Sequence, residues 1–354
     1  MRSTICVAED RKACEPCLKL LLLSLNHWCP EWRVDLFYPP ADEDFRAWLC
    51  RVPRVHLEVE GLQGGCGWNI KPHAIMHLLD AGFEEVIWID SDILITENVL
   101  DFVSRLEANT FVVTDHTASA ERDDTNARRA QLWGLSVGRV LPSALSSGVI
   151  RATHAHYGLM QDWWNLLQSQ TYLEFQKRKW TERPIHMLGD QDVLTALLTS
   201  SKYSGVPLYV LRRGKHILQF DGIWGYTVSE RIGNLIGEGP AFIHAGAGKP
   251  WSDRWPEKLE GLRDWVKWVY LDVSPYTLWA MQYKAAMECD VEWMSPHFLP
   301  SRLLRIAGLG RPALSGLPMA VIADIARMAK WVRGLGQSRS AFVHAGAPHS
   351  APEK

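Results

Sequence analysis

The chain has 354 residues, 47 % of them apolar and 22 % charged, with a formal net charge of −2. That suits one large domain, or one domain with an appendage, around a sizeable core, and it excludes a protein that holds nucleic acid by bulk electrostatics. The charge is uneven: Ser301 to Lys354 carries 8 Lys/Arg against 2 Asp/Glu, which leaves the first 300 residues acidic.

The 7 Cys are odd in number and lack a framework spacing, which argues against a secreted disulfide scaffold and for a reducing compartment. Cys14-Glu15-Pro16-Cys17 is a C-x-x-C without the second pair or redox pattern that would give it a role. The run Leu20 to Leu25 follows a mixed-charge stretch and is too short to span a bilayer, so it does not read as a signal peptide. Core filling accounts for most of the 17 Trp, although a flat apolar ring with one donor also suits the C–H faces of sugars.

In chain order, Ser3 to Ala8 predicts a buried strand and Leu18 to Asn26 a Leu-rich helix. Trp32 to Tyr38 reads as a second strand stopped by Pro39-Pro40, and Val55 to Val59 as a third. Pro72 to Ala81 has helical spacing with Gly82 as its cap, and Val86 to Ile89 is a central strand, apolar on both faces. Phe111 to Thr114, Gly148 to Arg151 and Ala241 to His244 supply further strands, and Asp190 to Leu198 a helix. Alternating strands and helices predict an α/β fold with a mostly parallel sheet, whose ligands bind beyond the carboxyl ends of the strands. Ala8 to Asp10 and Asp90 to Asp92 then share one edge.

The expected division is a catalytic domain over 1–260, a helical C-terminal extension over 261–335 and a disordered tail over 336–354. Ser301 to Leu309 and Met319 to Val332 read as helices with basic residues along one side. Two readings stand open for them: packing on the main domain, or resting on an anionic membrane surface.

Asp90-Ser91-Asp92 is the first chemical signal. Two carboxylates two apart at a strand end can converge on a hard divalent cation, Mn²⁺ or Mg²⁺, that keeps positions for diphosphate oxygens. A haloacid-dehalogenase phosphatase also uses Asp-x-Asp, but near its chain start and followed by Gly-Thr, where Ile93-Leu94 stands here. The second signal is Phe242 to Trp251, which brings His244 as a further ligand, Gly246 and Gly248 for close backbone approach, and Lys249 as a charge for phosphate.

With Val86 to Ile95, Ser146-Ser147-Gly148-Val149, Gly189-Asp190-Gln191-Asp192 and His244 to Trp251 in this order and spacing, the first 255 or so residues resemble glycosyltransferase family 8. The resemblance implies a GT-A, Rossmann-like fold and retaining transfer of a hexose from a UDP-sugar to a glycan or lipid-linked acceptor. By the same resemblance Asp90, Asp92 and His244 hold the metal, and Ala8 and Glu9 lie against the nucleobase. Lys71 stands near the donor, Ser91 and Ser146 border it, and Gly246 and Lys249 hold the diphosphate. Asp190 and Gln191 are the catalytic pair beside the transferred sugar. Three positions depart from the pattern: Ser146 stands for an Asn, the step from His244 to Gly246 is one residue short, and Arg11 replaces a smaller polar residue.

The partners expected are a nucleotide-sugar donor and a glycan or lipid-linked acceptor, with no nucleic acid. The expected location is cytoplasmic, with membrane contact if the basic helices rest on lipid. The tryptophans from Trp251 to Trp293 are the expected acceptor platform. Two rivals remain: a sugar-nucleotide nucleotidyltransferase, disfavoured because Ala8 to Cys14 has no Gly, and a non-catalytic glycan-binding module on the same fold.

Overall fold

A computed structural model describes residues 2–62, 67–98, 100–116, 123–219, 225–237, 239–246, 249–251, 258–288 and 291–329. The expected tail over 336–354, Gly248, Lys330 and Val332 lie outside the described residues.

The protein is a mixed α/β fold. A seven-stranded sheet is built from β1 (Ser3–Ala8), β2 (Val34–Phe37), β3 (Val55–Glu58), β4 (Glu85–Ile89), β6 (Phe111–Asp115), β7 (Leu145–Thr153) and β8 (Leu208–Leu211), in the order β3-β2-β1-β4-β7-β6-β8. A smaller sheet, β5-β10-β9, consists of β5 (Ile93–Ile95), β9 (Ile217–Gln219) and β10 (Phe242–His244). The strand expected over Ala241 to His244 therefore belongs to the small sheet.

Two cores sandwich the large sheet, and the period of two in the strands assigns residues to them. Ile5, Val7, Ile87 and Ile89 face Leu18, Leu21, Leu22 and Leu25 of α1 (Glu15–Trp28). Cys6, Val86 and Trp88 face the other way, onto α2 (Lys71–Asp80), α3 (Tyr157–Leu167) and α4 (Asp190–Thr199). Because both faces of the sheet are covered, its central strands are continuous apolar runs. Gly82, at φ +88°, follows α2 as expected of a residue beyond a helix end.

The large sheet is mostly parallel, as expected, with one strand reversed. β1, β2, β3 and β4 pair parallel, as do β6 and β8, but β7 runs antiparallel to both β4 and β6. The reversal brings the start of β7 to the edge where β4 and β6 end: Ile89 lies opposite Val149, and Thr114 opposite Ser146.

The C-terminal part is helical and packs on the small sheet. Tyr276 and Ala280 of α6 (Pro275–Ala280), with Met287, Trp293 and Met294, form one cluster with Leu94 and Ile243. α5 (Val228–Ile236) precedes β10, α7 (Leu299–Ala307) follows α6, and a last helix, α8, spans 317–329.

At the far end of the sheet Arg151 and Glu85 form a buried ion pair, with Arg151 also donating to the carbonyls of Leu106 (3.1 Å), Glu107 (3.0 Å) and Thr110 (2.9 Å). Arg151→Met leaves the Glu85 carboxylate buried without its cation, so urea denaturation is expected to show a loss of about 3–5 kcal/mol. Glu85→Gln in the same chain is expected to restore part of it.

Candidate functional site

The strand ends of the large sheet and the turn into the small one enclose a cavity of about 390 Å³. That volume falls in the range of small-molecule sites. Every residue assigned by sequence to the donor, the metal or the sugar lines it: Ala8, Glu9, Lys71, Asp90, Ser91, Asp92, Ser146, Asp190, Gln191, His244, Gly246 and Lys249.

The turn Asp90-Ser91-Asp92 joins the two sheets. Asp90 leaves β4 with its N–H donating to Gly148 O (2.9 Å), and Ile93 N–H closes the turn onto Asp90 O (3.0 Å). β5 then pairs antiparallel with β10, setting His244 opposite Ile93, beside Asp92. His244 Nε2 is 3.2 Å from Asp92 Oδ1, and Ala245 N–H donates to Asp92 O at 3.0 Å. Gly246, at φ +56°, turns the chain away immediately after; a side chain there would be strained in the left-handed region.

One oxygen each from Asp90 and Asp92 and one ring nitrogen of His244 lie within 4.8 Å of one another. Two hard oxygens and one imidazole nitrogen suit Mn²⁺ or Mg²⁺. The Nδ1 of His244 is buried without a hydrogen-bond partner, consistent with a ring that has coordination capacity to spare. Lys249 contacts Asp92 Oδ2 directly. Burial pushes the Asp92 carboxyl up, but His244 and Lys249 outweigh it and hold it well below the usual carboxylate range. Burial likewise lowers the His244 imidazole, and Asp92 more than offsets this.

On the other side of Asp90 stands Lys71, only 3 % exposed. Its Nζ lies 2.9 Å from Asp90 Oδ1, 3.3 Å from Asp190 Oδ2 and 2.8 Å from Ser147 Oγ, while Ser147 Oγ donates to Asp190 Oδ2 at 2.6 Å. Burial would lower the Lys71 ammonium; Asp190 and Asp90 hold it charged. Trp88 Nε1–H donates to Asp90 Oδ1 at 2.7 Å.

Glu9 is differently occupied. Arg11 grips its carboxylate through Nε (2.8 Å) and Nη2 (2.9 Å), and Ser91 Oγ donates to it at 2.6 Å. Ser91 thus links the Asp90-to-Asp92 turn to the end of β1, and Arg11, the odd residue in the sequence pattern, fixes Glu9. Gln191 Nε2 meets His116 Nε2 at 3.0 Å.

Sequence reading missed Ser147, which the reversed β7 aims at Lys71; only the antiparallel pairing reveals it. It also missed His116 and Gln219, at the ends of β6 and β9, because isolated polar residues there carry no motif. The expected platform from Trp251 to Trp293 is corrected. Trp251 packs on Tyr276 and Trp293, Trp268 and Trp293 are buried, and Trp255 lies outside the described residues. Trp268 and Trp293 belong to the C-terminal cores, and Trp251, Trp265 and Trp279 pack partly buried against them.

No protein-family model matches the chain, and no curated protein matches it. Among solved structures it is similar to the apo form of the bifunctional glycosyltransferase WbbM, with TM-score 0.45 and 13 % identity over 70 % of this chain. The chain covers 46 % of WbbM, under half its length. It is also similar to the galactosyltransferase LgtC in complex with donor and acceptor sugar analogs, with TM-score 0.46 and 14 % identity over 82 % of this chain and 98 % of that one. A third is a glycosyltransferase involved in glycosylation of the major capsid of PBCV-1, with TM-score 0.39 and 11 % identity over 70 % of this chain and 94 % of that one. At these values the chemistry of the site rests on its own residues.

Mn²⁺ is expected to stabilise the folded chain, by about 2.7 kcal/mol at a hundred times its Kd. Thermal melts with and without the ion measure this, and Asp92→Asn is expected to abolish the gain. A wild-type melting temperature indifferent to Mn²⁺ and Mg²⁺ would remove the metal centre.

Proposed function

We propose that the protein is a metal-dependent glycosyltransferase of GT-A type that moves a hexose from a UDP-sugar to a glycan or lipid-linked acceptor with retention of configuration. The observation that carries this reading is the junction of two opposed charge clusters in one cavity: Asp90, Asp92 and His244 with Lys249 on one side, Lys71 with Asp190 and Ser147 on the other.

A divalent ion held by Asp90, Asp92 and His244 would supply positive charge for the departing diphosphate. Lys249 is within reach to release Asp92 and bind a phosphate oxygen instead, and the turn at Gly246 keeps backbone close to that position. Asp190 begins α4 with its carboxylate turned into the cavity, where its negative charge stabilises a sugar carbon becoming cationic as the glycosidic bond stretches. Lys71 and Ser147 fix that carboxylate. Gln191 adds an amide that orients the donor. Ala8 and Glu9 at the end of β1 form the floor for the base. No strong base is required of the protein in a same-face attack, where the leaving oxygen takes the acceptor proton.

The C-terminal helices support a second partner, an anionic membrane surface. α7 leaves Leu299, Leu303 and Ile306 exposed and Leu309 follows them, with exposures of 57–79 %, and Arg302 and Arg305 lie among them. α8 buries Met319, Ala320 and Ala323 and leaves Val321, Ile322, Ile325 and Met328 outside. Of the two sequence readings, packing uses the Met319, Ala320 and Ala323 face, and among the described residues the other aliphatics are left exposed with arginines beside them. Among the described residues no helix is long and apolar enough to cross a membrane. The extension over 261–335 would then present the site to a surface-bound acceptor.

A panel of UDP-sugars is expected to include one from which the chain releases UDP only with Mn²⁺ or Mg²⁺, and Asp92→Ala is expected to reduce that release by about 10²–10³-fold. Tight donor binding with no release, even in the presence of acceptor glycans, would leave a binding module instead. Sedimentation with phosphatidylglycerol vesicles tests the surface contact: the chain is expected to pellet at low salt, and Leu303→Glu with Ile306→Glu to remain in solution. Equal pelleting of both would end the membrane assignment.

A further inference from the structure

Among the described residues only two tryptophans are strongly exposed, Trp68 at 46 % and Trp180 at 50 %, and both line the cavity. The functional reading above uses neither. An indole left half in water at the rim of a cavity, in a chain that buries Trp88, Trp163, Trp268 and Trp293, loses the apolar burial such a ring ordinarily gains.

The two are placed differently. Trp68 follows Gly67, whose N–H donates to Asp10 Oδ2 at 2.8 Å, and precedes Asn69, whose Oδ1 accepts from Tyr172 at 2.9 Å. It is thereby tied towards the end of β1, on the side given to the nucleotide. Trp180 opens a short turn, Trp180–Glu182, next to the start of α4. Its six-membered ring edge lies 3.8–3.9 Å from where a Cβ on Gly189 would stand, so it lies directly against the residue before Asp190. Arg183 backs the indole, its guanidinium 5.6 Å from the ring centroid. Arg183 is itself held by Gln176 Oε1 (2.6 Å), Gln176 O (2.9 Å) and Leu188 O (3.0 Å). The ring is thus supported by a fixed cation on one side while remaining half exposed to the cavity.

We propose that Trp180 is the acceptor platform of this site: a pyranose ring stacks its C–H face on the exposed indole and is thereby held beside Asp190. His116, joined to Gln191, lines the same cavity and offers a hydrogen-bonding ring to its hydroxyls. A flat ring selects a sugar with a continuous C–H patch and gives no purchase to a peptide hydroxyl, so the acceptor class is a saccharide. This rests on the donor reading above and adds the acceptor's chemistry to it.

The test uses the full chain with Mn²⁺ and UDP, and the methyl β-glycosides of galactose and glucose and the methyl α-glycoside of mannose as probes. Saturation-transfer NMR is expected to carry magnetisation from aromatic protons to the ring C–H protons of at least one glycoside. Trp180→Ala is expected to weaken that binding by about tenfold or more, and Trp180→Phe to retain most of it. The thermal melt is the folding control for each variant, and UDP affinity is measured by calorimetry without glycoside. Three results would overturn the platform: no transfer to any probe in the wild type, equal transfer in Trp180→Ala, or a joint fall in UDP and glycoside affinity that makes Trp180 a donor contact. Failure of UDP to bind the wild type brings down the donor reading, and the acceptor platform with it; because UDP is measured alone, that result is distinct from the other three.

Discussion

A buried lysine has to be paired, and the pairing of Lys71 organises this molecule. An ammonium removed from water costs several kcal/mol unless opposite charges surround it. Asp90, Asp190 and the Ser147 hydroxyl do so here, and they come from the end of β4, the start of α4 and the start of β7. The charge therefore locks three segments distant in sequence around the first turn of α2. The same contacts leave the Asp190 carboxylate fixed at the cavity wall and Asp90 oriented towards Asp92. Folding and site assembly are in this sense one event: the arrangement that satisfies the lysine also aligns the charged groups that line the cavity.

The second constraint is the reversal of β7. In an all-parallel sheet the residues beyond strand carboxyl ends supply the site, and Ser146 and Ser147, at the start of their strand, would lie at the opposite edge. Antiparallel pairing with β4 and β6 returns them. The small sheet does the same for the candidate metal ligands. β5 continues from the Asp90-to-Asp92 turn and β10 pairs with it in reverse, so a residue 152 positions beyond Asp92 in the chain comes within 3.2 Å of it. Hydrogen-bond register, rather than loop conformation, fixes the geometry of Asp90, Asp92 and His244.

The C-terminal segment divides its apolar residues between two tasks. Tyr276, Met287, Trp293 and Met294 complete the core over β5 and β10. Beyond them α7 and α8 attach through Leu304, Met319 and small residues, and leave other large aliphatics exposed beside arginines. The first set stiffens the sheet that carries His244; the second leaves an amphipathic surface on the same molecule.

The sequence alone determined most of the large sheet, because runs such as Ser3 to Ala8 and Val86 to Ile89 are local and apolar; β5, β8 and β9 were too short to be read, and which face each residue meets came from the packing. It also determined which acidic residues stand at strand ends, since a carboxylate after an apolar run can only follow a strand that is buried. The cluster from Phe242 to Trp251 supplied His244 and Lys249, and the cavity brings them to the same place as the acidic turn. Tertiary structure alone decided the rest. Strand direction depends on connections that leave no periodic trace, and with it the role of Ser147. Partner choice within the charge network, such as Arg11 for Glu9, depends on distances between segments that composition cannot rank. The tryptophans show the limit most plainly: indoles are chemically identical along the chain, and only packing separates those that fill a core from Trp180, which stands at the rim beside Asp190.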